Sequence, residues 1–176
     1  MEEKRENPFT TETDSDFKLK VKNSEHGIIC EMCGRKAKEY RRKLNAKMCV
    51  ALIEVLKYYR HTEGVDTLDY FNMSDLFKDN PKLKNDFQKL QYWDLIEAKG
   101  KLIKGNFIKN VGWYRISENG IKFAQREVAV PITALVYNGV VQGHILSPAL
   151  TIDKILADVG INYEEIINPL NKINYE

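Results

Sequence analysis

The 176-residue sequence predicts an α+β fold. Apolar residues recur at three- and four-residue spacing over 44–59, which marks a helix, and two strand pairs flank turn residues at 99–105 and 138–139. A chain of this length buries roughly two thirds of its unfolded surface, so neither disulfides nor a metal is required for a core.

Taken in order, residues 1–24 are rich in Thr, Ser, Asp, Glu and Lys and lack helical periodicity. They read as a mobile arm whose alternating Phe17-Lys18-Leu19-Lys20-Val21-Lys22 run offers one short strand. From Ala37 the pattern changes. Leu44, Met48, Ala51, Leu52, Val55, Leu56 and Tyr59 form one face of a helix of about 20 residues ending near Arg60, and Cys49 and Ile53 widen it. Gly64 closes this element, and 67–71 reads as a short strand.

Ser74 is the expected cap of a short helix at 75–78. Asn80 and Pro81 then open another, with Pro81 at the first helical position. Leu83, Phe87, Leu90 and Trp93 make its buried stripe, leaving Lys82, Asn85, Gln88, Lys89 and Tyr92 on other faces. A strand at 95–98, a long basic tip and a strand at 112–116 form a hairpin. Ser117 caps a helix running to about Arg126, which offers Ile121 and Phe123 to the core. Residues 128–137 and 140–145 form a second hairpin about Asn138-Gly139. A last helix at 151–159 ends at Gly160, before an acidic tail.

Composition excludes several classes. No apolar run approaches the roughly 18 residues of a membrane span, and the charged start is unlike a secretory signal. Three cysteines argue against a secreted disulfide framework, which places the protein in the cytoplasm. The net charge of +2 hides an uneven distribution: −1 over 1–36, +5 over 37–62, −3 over 63–100, +5 over 101–126 and −4 over 127–176. Neutralising phosphates takes local positive charge of the kind these two basic blocks supply.

The run Leu90-Gln91-Tyr92-Trp93-Asp94-Leu95-Ile96-Glu97, followed by Trp113-Tyr114-Arg115-Ile116-Ser117-Glu118-Asn119-Gly120-Ile121-Lys122-Phe123, resembles the third helix and wing of winged helix-turn-helix proteins. In such a pattern the third helix turns directly into the first wing strand, and Gly120 lets the following helix pack closely. The resemblance is closest to uncharacterised phage and prophage winged-helix proteins that carry Cys-x-x-Cys-Gly and Tyr-Arg-Arg-x-Leu-Asn ahead of the domain. Cys30-Glu31-Met32-Cys33-Gly34 and Tyr40-Arg41-Arg42-Lys43-Leu44-Asn45 match these segments. The implied organisation is an arm at 1–24, a knuckle at 25–36, a winged-helix domain at 37–126 and a hairpin-helix extension with acidic tail at 127–176.

Cys30 and Cys33 have the spacing of a zinc knuckle, and His26 is a candidate third ligand. A redox dithiol and an unliganded turn are the alternatives for this pair. Cys49, on an apolar helical stripe, reads as a core residue.

The resemblance implies binding to double-stranded DNA, with the third helix in the major groove and the wing along the backbone or minor groove. Lys82, Asn85, Gln88 and Lys89 are then the candidate base or phosphate contacts. Lys101, Lys104 and Lys109 are the wing contacts, and Arg41, Arg42 and Lys43 a further phosphate-binding stretch. Trp113, Tyr114 and Tyr92 read as core rather than stacking residues.

No phosphate loop, nucleophile elbow or His-Glu-x-x-His motif occurs, and His26, His61 and His144 are widely separated, so the expectation is a regulator without catalysis. The alternative reading is a protein-binding winged domain that modulates a host protein through its acidic C-terminal region. Residues 128–145 are also a candidate homodimer interface.

Overall fold

The computed structural model describes residues 11–168 apart from 25, 31–33, 63, 65, 67–68, 104–105 and 138, with the backbone alone for 11–15, 18, 101–103 and 106–111. The fold is mixed α+β. Its elements are α1 (Thr11–Asn23), β1 (Ile28–Ile29), β2 (Lys36–Ala37), β3 (Tyr40–Lys43), α2 (Ala46–His61), β4 (Phe71–Asn72), α3 (Met73–Leu76) and α4 (Pro81–Phe87). A 3-10 helix (Gln88–Trp93) leads on to β5 (Ile96–Ile103), β6 (Asn106–Ile116), α5 (Glu118–Ala124), β7 (Val130–Tyr137), β8 (Val140–Leu150), α6 (Ile152–Ala157) and α7 (Tyr163–Ile167).

Helix α2 is the centre of the core. Asn45 caps it, its side chain accepting from the Met48 N–H at 3.0 Å, and all of Met48–Ile53 is buried. Apolar residues surround this helix because α4 and α5 pack against it from one part of the chain and α6 and α7 from another. The C-terminal helices therefore share the core of the central region: Ile152 and Leu156 are fully buried, and the Tyr163 hydroxyl donates to the Ala124 carbonyl at 2.7 Å.

Two three-stranded sheets flank the helices. In one, the order is β4-β6-β5, all antiparallel, with Phe71 opposite Tyr114 and Ala98 opposite the same residue on the other side. In the other, β7 lies between β3 and β8. A shorter ladder joins β1 to β2.

The junction after β6 follows from two residues. The Ser117 hydroxyl accepts from the Gly120 N–H at 2.9 Å and donates to the Asp94 carbonyl at 2.6 Å, so it caps α5 and holds it to the end of the 3-10 helix. A Cβ on Gly120 would stand 2.0 Å from the Leu95 carbonyl oxygen, so only glycine permits this approach.

Several elements differ from the sequence expectation. The expected arm contains α1. Its acidic residues come early and Lys20 and Lys22 fall in the last turn, an order that complements the helix dipole where no apolar stripe exists. The long helix starts at Ala46, since Tyr40–Lys43 instead pair with β7. Asn72, not Ser74, caps α3, accepting from the Ser74 N–H. Residues 99–101, expected in a turn, continue β5 through a register shift between Ala98 and Gly100. Beyond Gly160, in the expected acidic tail, Asn162 caps a further helix, α7.

Candidate nucleic-acid interface

Helix α4 is held by its apolar side, with Leu83 and Phe87 buried and Leu90 continuing the stripe into the 3-10 helix. Phe87 packs between Phe71, Phe77 and Tyr114, at ring-centroid separations of 5.4–5.7 Å. This anchoring leaves Lys82 and Asn85, one turn apart, exposed on the outer side.

The other candidate contacts on this segment are engaged within the protein. The Lys89 ammonium is 2.7 Å from the Asp86 carboxylate. The Gln88 amide donates to the Met73 sulfur at 3.8 Å, while its backbone carbonyl accepts from the Gln91 side chain. Lys84, which the sequence did not single out, donates to the Ser74 hydroxyl at 2.8 Å and joins α4 to α3.

The hairpin β5–β6 follows directly. In its register Lys101 lies opposite Ile108 and Lys109 opposite Gly100. Lys104 lies outside the described residues, as do the side chains of Lys101 and Lys109. From Ala98 to Ser117 the sequence holds four lysines, one arginine and no carboxylate; Glu97, near the start of β5, pairs with Arg115, so the hairpin's net positive charge comes from the four lysines.

Its base is rigid. Lys99 sits 5.4 Å from the Tyr70 ring centre and 5.3 Å from that of Trp113, and Arg115 stacks on Tyr70 at 5.2 Å while two of its nitrogens donate to one oxygen of Glu97. Tyr114 is core, as expected, whereas Trp113 and Tyr92 are half-buried. Cation–aromatic packing across neighbouring strands had no signal in the sequence, because it depends on the strand register.

Arg41, Arg42 and Lys43 are exposed on β3, an edge strand, opposite Leu135, Ala134 and Thr133. Among the described residues no hydrogen bond or ion pair joins them to α4 or to the hairpin. Arg42 rests against the Tyr40 ring at 5.4 Å.

Two backbone hydrogen bonds flank the cysteine segment. The Gly34 N–H donates to the Cys30 carbonyl and the Cys30 N–H to the Arg35 carbonyl, both at 2.8 Å, at the mouth of the β1–β2 ladder. Cys33 lies outside the described residues, and His26 is exposed. Among the described residues no three His, Cys, Asp or Glu side chains gather to hold a metal. Cys49 is fully buried in α2, where burial pushes its thiol far above the ordinary value.

His144 is also accounted for by packing: its Nε2 lies 2.8 Å from the Tyr92 carbonyl oxygen, and its ring approaches Trp93. Among the described residues no helix is long and apolar enough to cross a membrane. No protein-family model, curated protein or solved structure matches the chain.

Proposed function

We propose that the chain is a winged-helix protein that binds double-stranded DNA and acts as a regulator of phage or mobile-element type, without catalysis. One observation carries this reading: an anchored helix that exposes Lys82 and Asn85 runs directly into a hairpin with five basic and no acidic residues between Ala98 and Ser117. Helix, short strand, two helices and a two-stranded wing, with the short strand beside the second wing strand, is the arrangement such a domain requires. Asn85 is suited to an adenine edge, and the lysines to guanine or phosphate.

The test is titration of a 20-base-pair duplex at several salt concentrations. About four phosphate contacts predict roughly a hundredfold loss of affinity between 50 and 200 mM salt. The combined change Lys82→Glu, Lys89→Glu, Lys101→Glu and Lys104→Glu abolishes binding. Salt-independent binding, or binding that survives this change, overturns the reading.

The proposal also gives the Cys30 turn a staple, with Cys30, Cys33 and His26 as zinc ligands. Elemental analysis of the intact protein and of Cys30→Ser tests it: equal zinc in both, or none in either, overturns it.

A second reading is favoured by the engagement of Gln88 with Met73 and of Lys89 with Asp86, which leaves fewer groups free for bases. It is a protein-binding winged domain that modulates a host protein. A stoichiometric partner retained after nuclease treatment, together with no duplex affinity, supports this alternative.

A further inference from the structure

Arg41 lies on β3 in the sheet β3-β7-β8, whereas the hairpin belongs to the sheet β4-β6-β5. With Lys22, Ser24, Lys38, Glu39 and Tyr40, Arg41 lines a cavity of about 400 Å3 between the end of α1 and the start of β3. Three cationic residues against one carboxylate give this concavity a local excess of two positive charges. None of the three cations forms an ion pair among the described residues. Unpaired like charges gathered in one concavity repel each other, and the walls focus their field on whatever enters.

On one side Val21, in the last turn of α1, is 2% exposed, and the Ser24 hydroxyl donates to the Gly27 carbonyl at 3.0 Å at the corner that follows. A Cβ on Gly27, whose φ is +76°, would stand 2.5 Å from the Ala37 carbonyl oxygen and 2.9 Å from Lys38 Cβ. That contact brings Lys38 against the corner of α1. On the other side, β3 is held in register by β7.

The size exceeds what one oxyanion needs and falls among small-molecule sites, roughly 300–1,000 Å3. Tyr40, 51% exposed, adds an aromatic surface; Arg42 covers one side of its ring, and a base can stack on the other.

We propose that this cavity is a second anion site that takes the phosphate of a nucleotide, whether free in solution or part of a nucleic-acid strand. In its free-nucleotide form it stands apart from the duplex reading, sharing neither α4 nor the hairpin; in its strand form it rests on that reading, in which Arg41 is already a candidate phosphate contact.

The test uses the full chain, with AMP and a 20-base-pair duplex as separate probes. Lys22→Glu, Lys38→Glu and Arg41→Glu are the reversal variants, and Lys22→Gln and Arg41→Gln are milder ones in case reversal disturbs the fold. Lys20→Glu, on an exposed position of α1 outside the cavity, is the control for charge alone. A free nucleotide as ligand predicts saturable AMP binding that weakens at least tenfold in the cavity variants and is unchanged in Lys20→Glu. A strand as ligand predicts no AMP binding but a tenfold loss of duplex affinity in the cavity variants, beyond that in Lys20→Glu. Unaltered binding of both probes in folded cavity variants, or an equal loss in Lys20→Glu, overturns the proposal. If the cavity variants lose AMP while duplex binding depends on Lys82 alone, the site stands as a nucleotide site whatever becomes of the duplex reading.

Discussion

The indole N–H of Trp93 donates to the Pro131 carbonyl oxygen at 2.6 Å. With the His144 contact to the Tyr92 carbonyl at 2.8 Å, it fastens the end of the third-helix segment to the sheet β3-β7-β8. Trp93 is 4% exposed, so Trp93→Phe keeps much of the packing while leaving the Pro131 carbonyl without its donor. The expected cost is about 1–3 kcal/mol in urea unfolding. Because the two bonds tie neighbouring residues to adjacent strands of one sheet, Trp93→Phe and His144→Ala are expected to be non-additive by at least about 0.5 kcal/mol. Strict additivity means that the sheet is held elsewhere.

Ser117 and Gly120 make the same junction in different ways, and their variants separate the two. Ser117→Ala removes a cap and a bond to the Asp94 carbonyl, at an expected cost of about 1–2 kcal/mol. Gly120→Ala gains up to about 1 kcal/mol of helix propensity, yet its methyl group meets the Leu95 carbonyl, a backbone atom that moves only with β5. The clash is expected to prevail, with a net loss of about 1–3 kcal/mol. A Gly120→Ala melting temperature at or above that of the parent contradicts the close approach.

The junction was legible because each part is local: a capping hydroxyl three residues before a glycine, and a Leu-x-x-Trp run whose buried positions follow helical spacing. Leu83, Phe87, Leu90 and Trp93 are all buried, as their spacing requires. What sequence periodicity missed was decided by distant partners. Tyr40-Arg41-Arg42-Lys43 looks like the lead-in to a helix until β7 offers it a ladder 90–96 residues away. Gln88 reads as a free face residue until Met73, on another helix, takes its amide. The cavity at Arg41 needed Lys22 and Lys38 to be brought together by a corner that no sequence spacing reveals.

Four buried acids set the response to alkali. Burial holds the Cys49 thiol far above its ordinary value of 9.0, lifts Tyr59 to about 12 and raises Tyr114 and Tyr163. Each stays protonated in the folded state at a pH where the unfolded chain has released its proton, so the native state binds more protons and stability falls as pH rises. Cys49 alone contributes about 1.4 kcal/mol of loss per pH unit above about pH 9, and the tyrosines join above about pH 10. Cys49→Ala is expected to flatten the dependence between pH 9 and 10, measured by urea unfolding at each pH, even though the cavity lowers stability throughout. An unchanged slope in that variant refutes the assignment to Cys49.

Asp86 is the one carboxylate within the described third-helix segment from Pro81 to Trp93, and it holds Lys89 at 2.7 Å. On the proposed reading, in which this helix faces DNA, it opposes binding twice, by its own charge and by occupying a lysine. Asp86→Asn removes both effects. Because the pair lies near the surface and spans only three residues, folding stability is expected to change by less than about 0.5 kcal/mol. Duplex affinity at fixed salt is expected to rise several-fold, and the salt dependence to steepen by about 0.9, the signature of one added phosphate contact. A protein-binding surface gives a different outcome: no change in the salt slope, because no counterions leave a duplex. Counterion release depends on phosphates rather than bases, so the slope distinguishes the two readings with a duplex of any sequence.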